Sequence, residues 1–262
     1  MAPVNDLVRL ATAAARRAAD YLRTVDRPRD PALWGAKGPA DWVTEVDRNS
    51  EEMIREVLLG GEPDSQIIGE ELSPDLVTRG LVWIVDPLDG TTNFLHGVPV
   101  FAVSIAAALD GVLQAGVVLH VPLDRCYRAQ RGGGAWLGDQ RLAVSPHTQP
   151  RHCLIGTGFP YSDFSRLDQY QRQFARVVSQ AGGVRRAGSA ALDLADVASG
   201  RFEAFWEQRL SAWDIAAGTL LVREAGGRVT DFSGRDLGIE HGETAAGSPA
   251  MHYWLLQQLR EG

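Results

Sequence analysis

Apolar residues recur along much of the chain with the spacing of an α-helix. Residues 5–24 place Leu7, Ala14 and Leu22 near one face and most of their arginines elsewhere, which predicts an amphipathic helix. Glycines and prolines bound the other helical stretches and predict where each one ends. Further helices are predicted at 48–59, 165–183, within 183–200 (a turn followed by a helix), 211–227 and 248–262.

Other stretches alternate with a period of two or form short apolar runs, as β-strands do. Asp110-Gly111 divides one of them into a hairpin, and Gly138-Asp139 predicts a second turn. Hairpins first and α/β alternation later predict layered sheets and helices within one domain, 1–262, with approximate halves 1–150 and 151–262. Strands are predicted within 42–47, 65–71, 81–85, 100–121, 126–145, 201–208 and 227–232.

Composition and charge exclude several classes of protein. The 262 residues are 45% hydrophobic and carry a net charge of −7, which argues against binding to nucleic acid or to an anionic membrane. The short basic runs Arg16-Arg17 and Arg185-Arg186 are typical of solvated faces. Thus no direct nucleic-acid binding is expected.

The same chain lacks the features of an exported or membrane protein. No apolar run reaches the length of about 20 residues that crosses a bilayer, and the N-terminus lacks a secretory signal. An Arg-rich transit peptide is the alternative, but Asp6 and Asp20 count against it. Cys126 and Cys153 are expected to be free thiols in a reducing cytoplasm, with one disulfide as the alternative.

The stretch "WIVDPLDGTTNFLHGVP", residues 83–99, carries the first candidate chemistry. An apolar run ends in Asp86, and Asp89 follows, then Gly90 and two threonines. Every acid in the candidate set also has a structural interpretation: Asp-Pro-Leu-Asp-Gly is good turn chemistry. Asp47 could cap a helix, Glu70 could be solvated, and Ser211 with Asp214 fits a capping box.

The acids taken together indicate a metal site. Glu70, Asp86 and Asp89 lie at or beyond predicted strand ends, where α/β proteins gather ligands, and Asp214 opens a helix. Two such charges about 4 Å apart repel by about 4 kcal/mol at an effective dielectric of about 20. A cluster of carboxylates therefore needs hard cations such as Mg²⁺, and the combination is typical of metal-assisted phosphoryl transfer to water.

The motifs resemble those of the inositol monophosphatase family over nearly the whole chain. "WIVDPLDGTTNFLHGVPVFAVSIA" and "WDIAAGTLLVREAGG" look like its two signatures, and "ADWVTEVD" and "IIGEE" match upstream motifs in order and interval. The resemblance implies an α/β (α+β) fold, a layered α/β/α/β/α sandwich of the inositol monophosphatase and fructose bisphosphatase type. It also implies a homodimer and lithium-sensitive, Mg²⁺-dependent hydrolysis of phosphate monoesters.

Matched by position, the resemblance implies a role for each acid. Glu70, Asp86 and the Leu88 carbonyl would hold one metal, and Glu70 would support a third through water. Asp86, Asp89 and Asp214 would hold the second metal, which would stabilise the leaving oxygen. Thr91, backed by Asp47, would activate the attacking water, and the amides of Gly90 and Thr91 would hold the phosphate. Two or three Mg²⁺ ions per site are therefore expected.

The substrate is less firmly indicated than the chemistry. The "DGTTNFLHG" form looks most like the inositol phosphatases, and Glu207 matches the position that contacts inositol hydroxyls. Gly188, Ser189 and Ala190 match the loop on the sugar side. Fructose 1,6-bisphosphate, histidinol phosphate and adenosine bisphosphates are the alternatives.

Three interpretations stay open on the sequence alone. Glu207 could be an exposed acid instead. His96 could act as a general base, but a structural role is favoured, because metal-bound water already supplies the base chemistry. A regulatory protein on a phosphatase scaffold is the alternative from another class, since some bacterial relatives contact the transcription machinery.

Overall fold

The computed structural model describes residues 4–38, 41–73, 75, 78–159, 163–239 and 242–260. Seven α-helices lie within these ranges: α1 (Val4–Thr24), α2 (Glu45–Gly61), α3 (Thr91–His96), α4 (Leu167–Val178), α5 (Ala190–Ala198), α6 (Ala212–Glu224) and α7 (Pro249–Arg260). Single 3₁₀ turns form at Pro31–Leu33, Pro150–His152 and Phe164–Arg166. None of the described helices is long and apolar enough to cross a bilayer.

Three sheets form in the same ranges. The largest has seven strands in the order of the chain: β3 (Gln66–Gly69), β4 (Leu81–Asp89), β5 (Ala102–Leu109), β6 (Val112–His120), β7 (Arg125–Gln130), β8 (Gly134–Leu137) and β9 (Gln140–Arg141). The second contains β10 (Leu154–Thr157), β11 (Gly183–Arg185), β12 (Ala204–Leu210), β13 (Arg228–Thr230) and β14 (Gly242–Gly247). Its order is β11-β10-β12-β14-β13, and β1 (Gly35–Gly38) pairs separately with β2 (Asp41–Val43).

Local turn chemistry sets the path of the large sheet. β3 and β4 are parallel, and every later neighbour is antiparallel. The predicted hairpin is confirmed, because Asp110 and Gly111 join β5 to β6 with φ angles of 48° and 77°. Positive φ at both positions is the requirement of a tight hairpin turn that suits twisted strands.

The two larger sheets and the helices stack in five layers. Trp83 and Val85 of β4 pack with α1 and α2, whereas Val82 and Ile84 pack with α5 and α6 on the opposite face. Likewise β12 directs Phe205 toward α5 and α6, and its neighbour Trp206 belongs to the cluster with α4 and α7. The layers confirm the predicted α/β/α/β/α sandwich. Burial of β4 on both faces explains its unbroken apolar run, since neither face meets water.

Helix α6 lies between the two sheets at close range. A Cβ added to Gly116 of β6 would stand 2.9 Å from the Ala217 carbonyl oxygen, and a Cβ on Gly218 would stand 2.5 Å from the Leu194 Cβ. Neither distance is possible for a real side chain without movement of the backbone. Two glycines therefore fix the spacing of α6 from β6 and from α5.

The predicted strand at 42–47 is wrong beyond its first residues. The strand ends at Val43, and Thr44 caps α2. Thr44 Oγ accepts from the Val46 amide at 3.1 Å, and the Thr44 amide donates to Asp47 Oδ2 at 2.8 Å. These two bonds satisfy amides that a helix start leaves unpaired, so the capping box outweighs the alternating pattern.

Four short strands were not predicted: β1, β10, β11 and β14. β14 is built largely of glycine and alanine, which carry little strand signal. The expectation of two free thiols is confirmed, since Cys126 and Cys153 are both free and buried. The organisation as one domain with halves 1–150 and 151–262 stays a prediction.

Candidate active site

The last residues of β4 carry two of the candidate acids inside the strand. Asp86 pairs with Ser104 and Asp89 with Ala102, and the register shifts between them. Pro87 lacks an amide hydrogen, which suits a bulge in a ladder. The Leu88 amide then donates to Asp86 Oδ1 at 3.0 Å. The sequence predicted a strand ending before Asp86, and the structure extends it to Asp89.

Asp86, Asp89 and Asp214 meet in one cluster. One oxygen from each of these three carboxylates lies within 4.8 Å of the others. Asp214 is also the third residue of α6, and its Oδ2 accepts from the Ser211 amide at 2.6 Å. The capping and clustering interpretations of Asp214 are therefore compatible, because one oxygen serves the helix and the carboxylate still reaches the cluster.

Burial and mutual repulsion raise the pKa of all three carboxyls. Burial is the largest cause at Asp86 and Asp214, and repulsion from Glu70 adds to it, so the pKa of each lies well above the ordinary range. Burial also raises the pKa of Asp89 to about 6, against hydrogen bonds that lower it.

These acids fit a hard divalent cation. Among the described residues, no basic side chain forms an ion pair with Asp86, Asp89 or Asp214. A buried group of like charges without a partner cation is unfavourable, and an all-oxygen donor set suits Mg²⁺.

Glu70 stands beside this cluster. It follows β3, and its amide donates to the Val85 carbonyl at 3.2 Å. Its charge raises the pKa of Asp86, Asp89 and Asp214, although its carboxylate is not one of the three within 4.8 Å. Glu70 therefore lies at the edge of the cluster, close enough for its charge to repel the three carboxylates.

Glu51 of α2 holds the turn that carries Glu70, and sequence reasoning missed it. Glu51 is fully buried and accepts from the Glu71 amide at 2.8 Å and the Leu72 amide at 3.2 Å. A Cβ on Gly69 would stand 2.1 Å from Glu51 Oε1, so glycine makes room for this carboxylate. Its burial in a polar stretch of α2 gave no signal in the sequence.

Thr91 and Asp47 form the predicted pair. Thr91 Oγ lies 3.0 Å from Asp47 Oδ1 and 3.1 Å from the Leu88 carbonyl oxygen. Asp47 is 1% exposed, and burial raises its pKa despite bonds from Thr44. The alternative that Asp47 caps α2 is corrected in position: Thr44 is the N-cap, and Asp47 is the third helical residue, whose side chain completes the capping box. Its other oxygen remains available to Thr91.

Gly90 joins β4 to α3 with a φ of 97°. A Cβ at Gly90 would stand 3.0 Å from the Val100 carbonyl oxygen and 3.1 Å from that of Gly188, so this turn requires glycine. The Asn93 side chain donates to the Val100 and Ala187 carbonyls at 2.7 and 2.9 Å. The loop before α5 is thereby tied to the turn after β4.

A small cavity adjoins the cluster. It encloses about 160 Å³ and brings together the predicted residues Asp89, Gly188, Ser189, Ala190, Glu207 and Asp214. Sequence reasoning missed the five other lining residues, Thr157, Gly158, Arg186, Asp193 and Leu210. Asp193 is the only acidic residue in the first half of the apolar helix "AALDLADVA", and this was the available signal.

Glu207 lines this cavity from β12, so the alternative of an exposed acid is wrong. Burial raises the pKa of Glu207 to about 8, while the Arg186 charge opposes that rise. A Cβ on Gly158 would stand 1.8 Å from Glu207 Oε1, so the carboxyl occupies the space that glycine leaves.

His96 lies outside the cluster. It is exposed at the end of α3, and its ring meets the edge of Trp34 at 5.6 Å between centroids. This position agrees with the structural interpretation of His96.

Comparisons with known proteins agree with this arrangement. The profile of the inositol monophosphatase family matches residues 4–262. A Rhizobium meliloti (strain 1021) relative named inositol-1-monophosphatase is 47% identical over 213 residues, 81% of this chain and 80% of the relative. A Pseudomonas aeruginosa relative named Nus factor SuhB is 45% identical over 251 residues, 94% and 92% of the two chains.

Structural comparison gives the same result. The crystal structure of extragenic suppressor protein suhB from Bartonella henselae matches with a TM-score of 0.88 at 40% identity. The match covers 97% of this chain and 98% of that chain. The family profile, these relatives and the shared fold, together with the acid cluster and the Thr91–Asp47 hydrogen bond, show that the chain belongs to the inositol monophosphatase family.

Proposed function

We propose that this protein is a Mg²⁺-dependent phosphatase that hydrolyses inositol 1-phosphate to inositol and phosphate. The observation that carries the proposal is the cluster of Asp86, Asp89 and Asp214 between the Thr91–Asp47 pair and the Glu207 cavity. One side of this arrangement suits a phosphate and its metal ions, and the other suits a polyol.

Asp86, Asp89 and Asp214, with Glu70 and the Leu88 carbonyl, would hold two or three Mg²⁺ ions. When bound, Mg²⁺ would neutralise the phosphate, lower the pKa of a water and stabilise charge on the leaving oxygen. The donor set supports this role, because it is all oxygen and because Asp86, Asp89 and Asp214 form no ion pair with a basic side chain among the described residues.

Thr91 and Asp47 would orient the attacking water. The Thr91 hydroxyl reaches Asp47 Oδ1 at 3.0 Å, while Asp47 Oδ2 is held by Thr44, so the pair is fixed before substrate binds. The amides of Gly90 and Thr91 would hold the phosphate. In phosphoryl transfer, positioning of this kind and electrostatics supply most of the catalysis.

The cavity supports a polyol as the leaving group. Glu207 would accept hydrogen bonds from hydroxyls, and Gly188, Ser189 and Ala190 would line the sugar side. Fructose 1,6-bisphosphate, histidinol phosphate and adenosine bisphosphates are the alternative substrates for the same chemistry. A cytoplasmic homodimer inhibited by lithium completes the proposal.

Release of phosphate from a panel of phosphomonoesters tests this function. We expect turnover of inositol 1-phosphate with Mg²⁺, none with chelator, and preference for this ester over the three alternatives. Thr91→Ala should lower kcat by about 10² to 10⁴-fold and affect KM less, because the amides that hold phosphate remain. The exposed neighbour Thr92→Ala is the matched control. Full turnover in chelator would exclude the metal mechanism.

Similarity to relatives named Nus factor SuhB favours one second candidate, a regulatory role on the same scaffold. The complete acid cluster supports activity whether or not this role exists. Complementation of a strain that lacks its own copy separates the two. If the Thr91→Ala protein restores growth while lacking phosphatase activity, the regulatory role is supported.

A further inference from the structure

Asp193, the fourth residue of α5, is a buried carboxyl that receives no hydrogen bond from the part of the chain that the structure describes. It is 2% exposed, and no donor among the described residues reaches either side-chain oxygen, with Oδ1 wholly enclosed. Buried polar atoms almost always have a partner, because an unmade hydrogen bond costs the full desolvation of the group. The exception therefore requires an explanation.

Support of helix α5 does not supply that explanation. Ser189 caps the helix, and the Ala191 amide donates to Asp89 Oδ2 at 2.8 Å. The Leu192 amide reaches Ser189 Oγ at 3.4 Å, and the Asp193 amide reaches the Ser189 carbonyl at 3.0 Å. The amides of the first turn are thus paired without the Asp193 side chain. The neighbouring buried positions of α5 are alanine and leucine, which suit this environment better.

Beyond helix α5, the Asp193 side chain borders the cavity beside the acid cluster. Asp193 lines it together with Glu207, which likewise receives no hydrogen bond from a described donor. The two acids come from different elements, α5 and β12, and face one space of about 160 Å³. Arg186 also lines this space, and its charge acts on both acids. The carboxyls of Asp193 and Glu207 can therefore both accept hydrogen bonds from a molecule inside the cavity.

We propose that Asp193 is a second recognition residue for the alcohol half of the substrate, where it accepts a hydroxyl beside the one accepted by Glu207. This inference rests on the proposed function and names its substrate class: the monophosphate of a polyol with at least two free hydroxyls directed away from the phosphate. Two carboxyl acceptors in one cavity discriminate against an alcohol with a second phosphate, because the phosphate oxygens bring no donors and would leave these acceptors unpaired away from water.

The test compares Asp193→Asn with Asp196→Asn. Asp196 lies on the same helix with the same charge, but it pairs with Arg201 at 2.6 Å and does not line the cavity. Inositol 1-phosphate, an aryl phosphate and fructose 1,6-bisphosphate are the substrates. Asp193→Asn should lower the ratio of kcat/KM for inositol 1-phosphate to that for the aryl ester by about 10-fold or more, mainly through KM. The relative rate with the bisphosphate should rise, and Asp196→Asn should keep the wild-type ratios.

Asp193→Leu, which removes both acceptor oxygens, should lower the same ratio further. Thermal unfolding in chelator should show Asp193→Asn equal to or more stable than wild type, since a buried charge without a partner is lost. An equal loss with all three substrates, or an unchanged ratio, would overturn the role of Asp193. Failure of the proposed function is distinct, because the wild-type protein would then prefer a bisphosphate or an ester without hydroxyls.

Discussion

Ser189 Oγ donates a hydrogen bond of 2.5 Å to Asp89 Oδ2, and it thereby joins the end of β4 to the start of α5, 100 residues later. The Ala191 amide donates to the same oxygen at 2.8 Å. Both bonds thus fall on one oxygen of Asp89, whose carboxylate also belongs to the acid cluster. The orientation of a candidate metal ligand depends on a helix cap.

Replacement of that cap should weaken metal binding. Ser189→Ala removes the hydroxyl donor, so we expect the Mg²⁺ concentration for half-maximal activity to rise by about 10 to 100-fold. The loss of the cap should also cost about 1 kcal/mol of unfolding free energy. Ser199→Ala, at the other end of α5, is the control. An unchanged Mg²⁺ dependence in Ser189→Ala would contradict the proposed role of Asp89.

Asp214→Asn separates helix capping from metal binding. Asparagine keeps an oxygen that can accept from the Ser211 amide, and it removes one of the repelling charges. In chelator we expect a protein as stable as wild type or more stable, whereas turnover in saturating Mg²⁺ should collapse. The control is Asp168→Asn in the first turn of α4, which should cost about 0.3–1 kcal/mol through the helix dipole. Lower stability with near-normal turnover in Asp214→Asn would leave only the capping role.

The buried Glu207 carboxyl should make stability depend on pH. Its pKa rises from 4.5 to about 8 on folding, so the folded state binds this proton more tightly than the unfolded state. The stabilisation is complete below pH 4.5 and is lost as pH rises through 8. In chelator, the melting temperature of Glu207→Gln minus that of wild type should therefore increase as pH rises across this window. Above the window the difference should stay constant. A difference in melting temperature that stays the same at every pH would refute the raised pKa of Glu207.

Glu51→Gln should loosen the turn that carries Glu70. Glutamine keeps one acceptor oxygen, so one of the two amide bonds to Glu71 and Leu72 is lost. We expect the Mg²⁺ concentration for half-maximal activity to rise by about 10-fold, so that high Mg²⁺ restores part of the lost activity. Glu52→Gln on the exposed side of α2 is the matched control. Equal behaviour of the two variants would exclude a positioning role for Glu51.

Local signals were sufficient for most of the fold and for the acids. The apolar run of β4, the Asp110-Gly111 turn and the periodicity of α1 are properties of neighbouring residues, and the structure confirms all three. The family motifs identified Asp86, Asp89 and Asp214, which the structure brings together. The capping role of Thr44 was missed because the residues of this capping box also alternate between apolar and polar, as those of a strand do.

The contributions of Glu51 and Asp193 required the tertiary structure. Each lies on a helix with other acids nearby, and only packing decides which acid turns inward. Glu51 is fully buried while its neighbour Glu52 is exposed, and Asp193 is buried one turn before the ion-paired Asp196. No local pattern distinguishes the members of these pairs. The hydrogen bond from Ser189 to Asp89 likewise depends on contacts across distant segments.

The tight seating of α6 limits how this lineage can diverge. Gly116 and Gly218 leave no room for a side chain, and Asp214 lies on the helix they seat. A substitution of either glycine would displace a candidate ligand, so selection for the proposed metal binding would act on positions that do not touch the metal. The acids of the cavity wall, Asp193 and Glu207, stand on α5 and β12 instead, so a substitution of either side chain leaves α6 and its glycines unchanged. Under the proposed function, new substrate preferences would therefore arise there by single substitutions while the proposed hydrolytic centre is inherited intact.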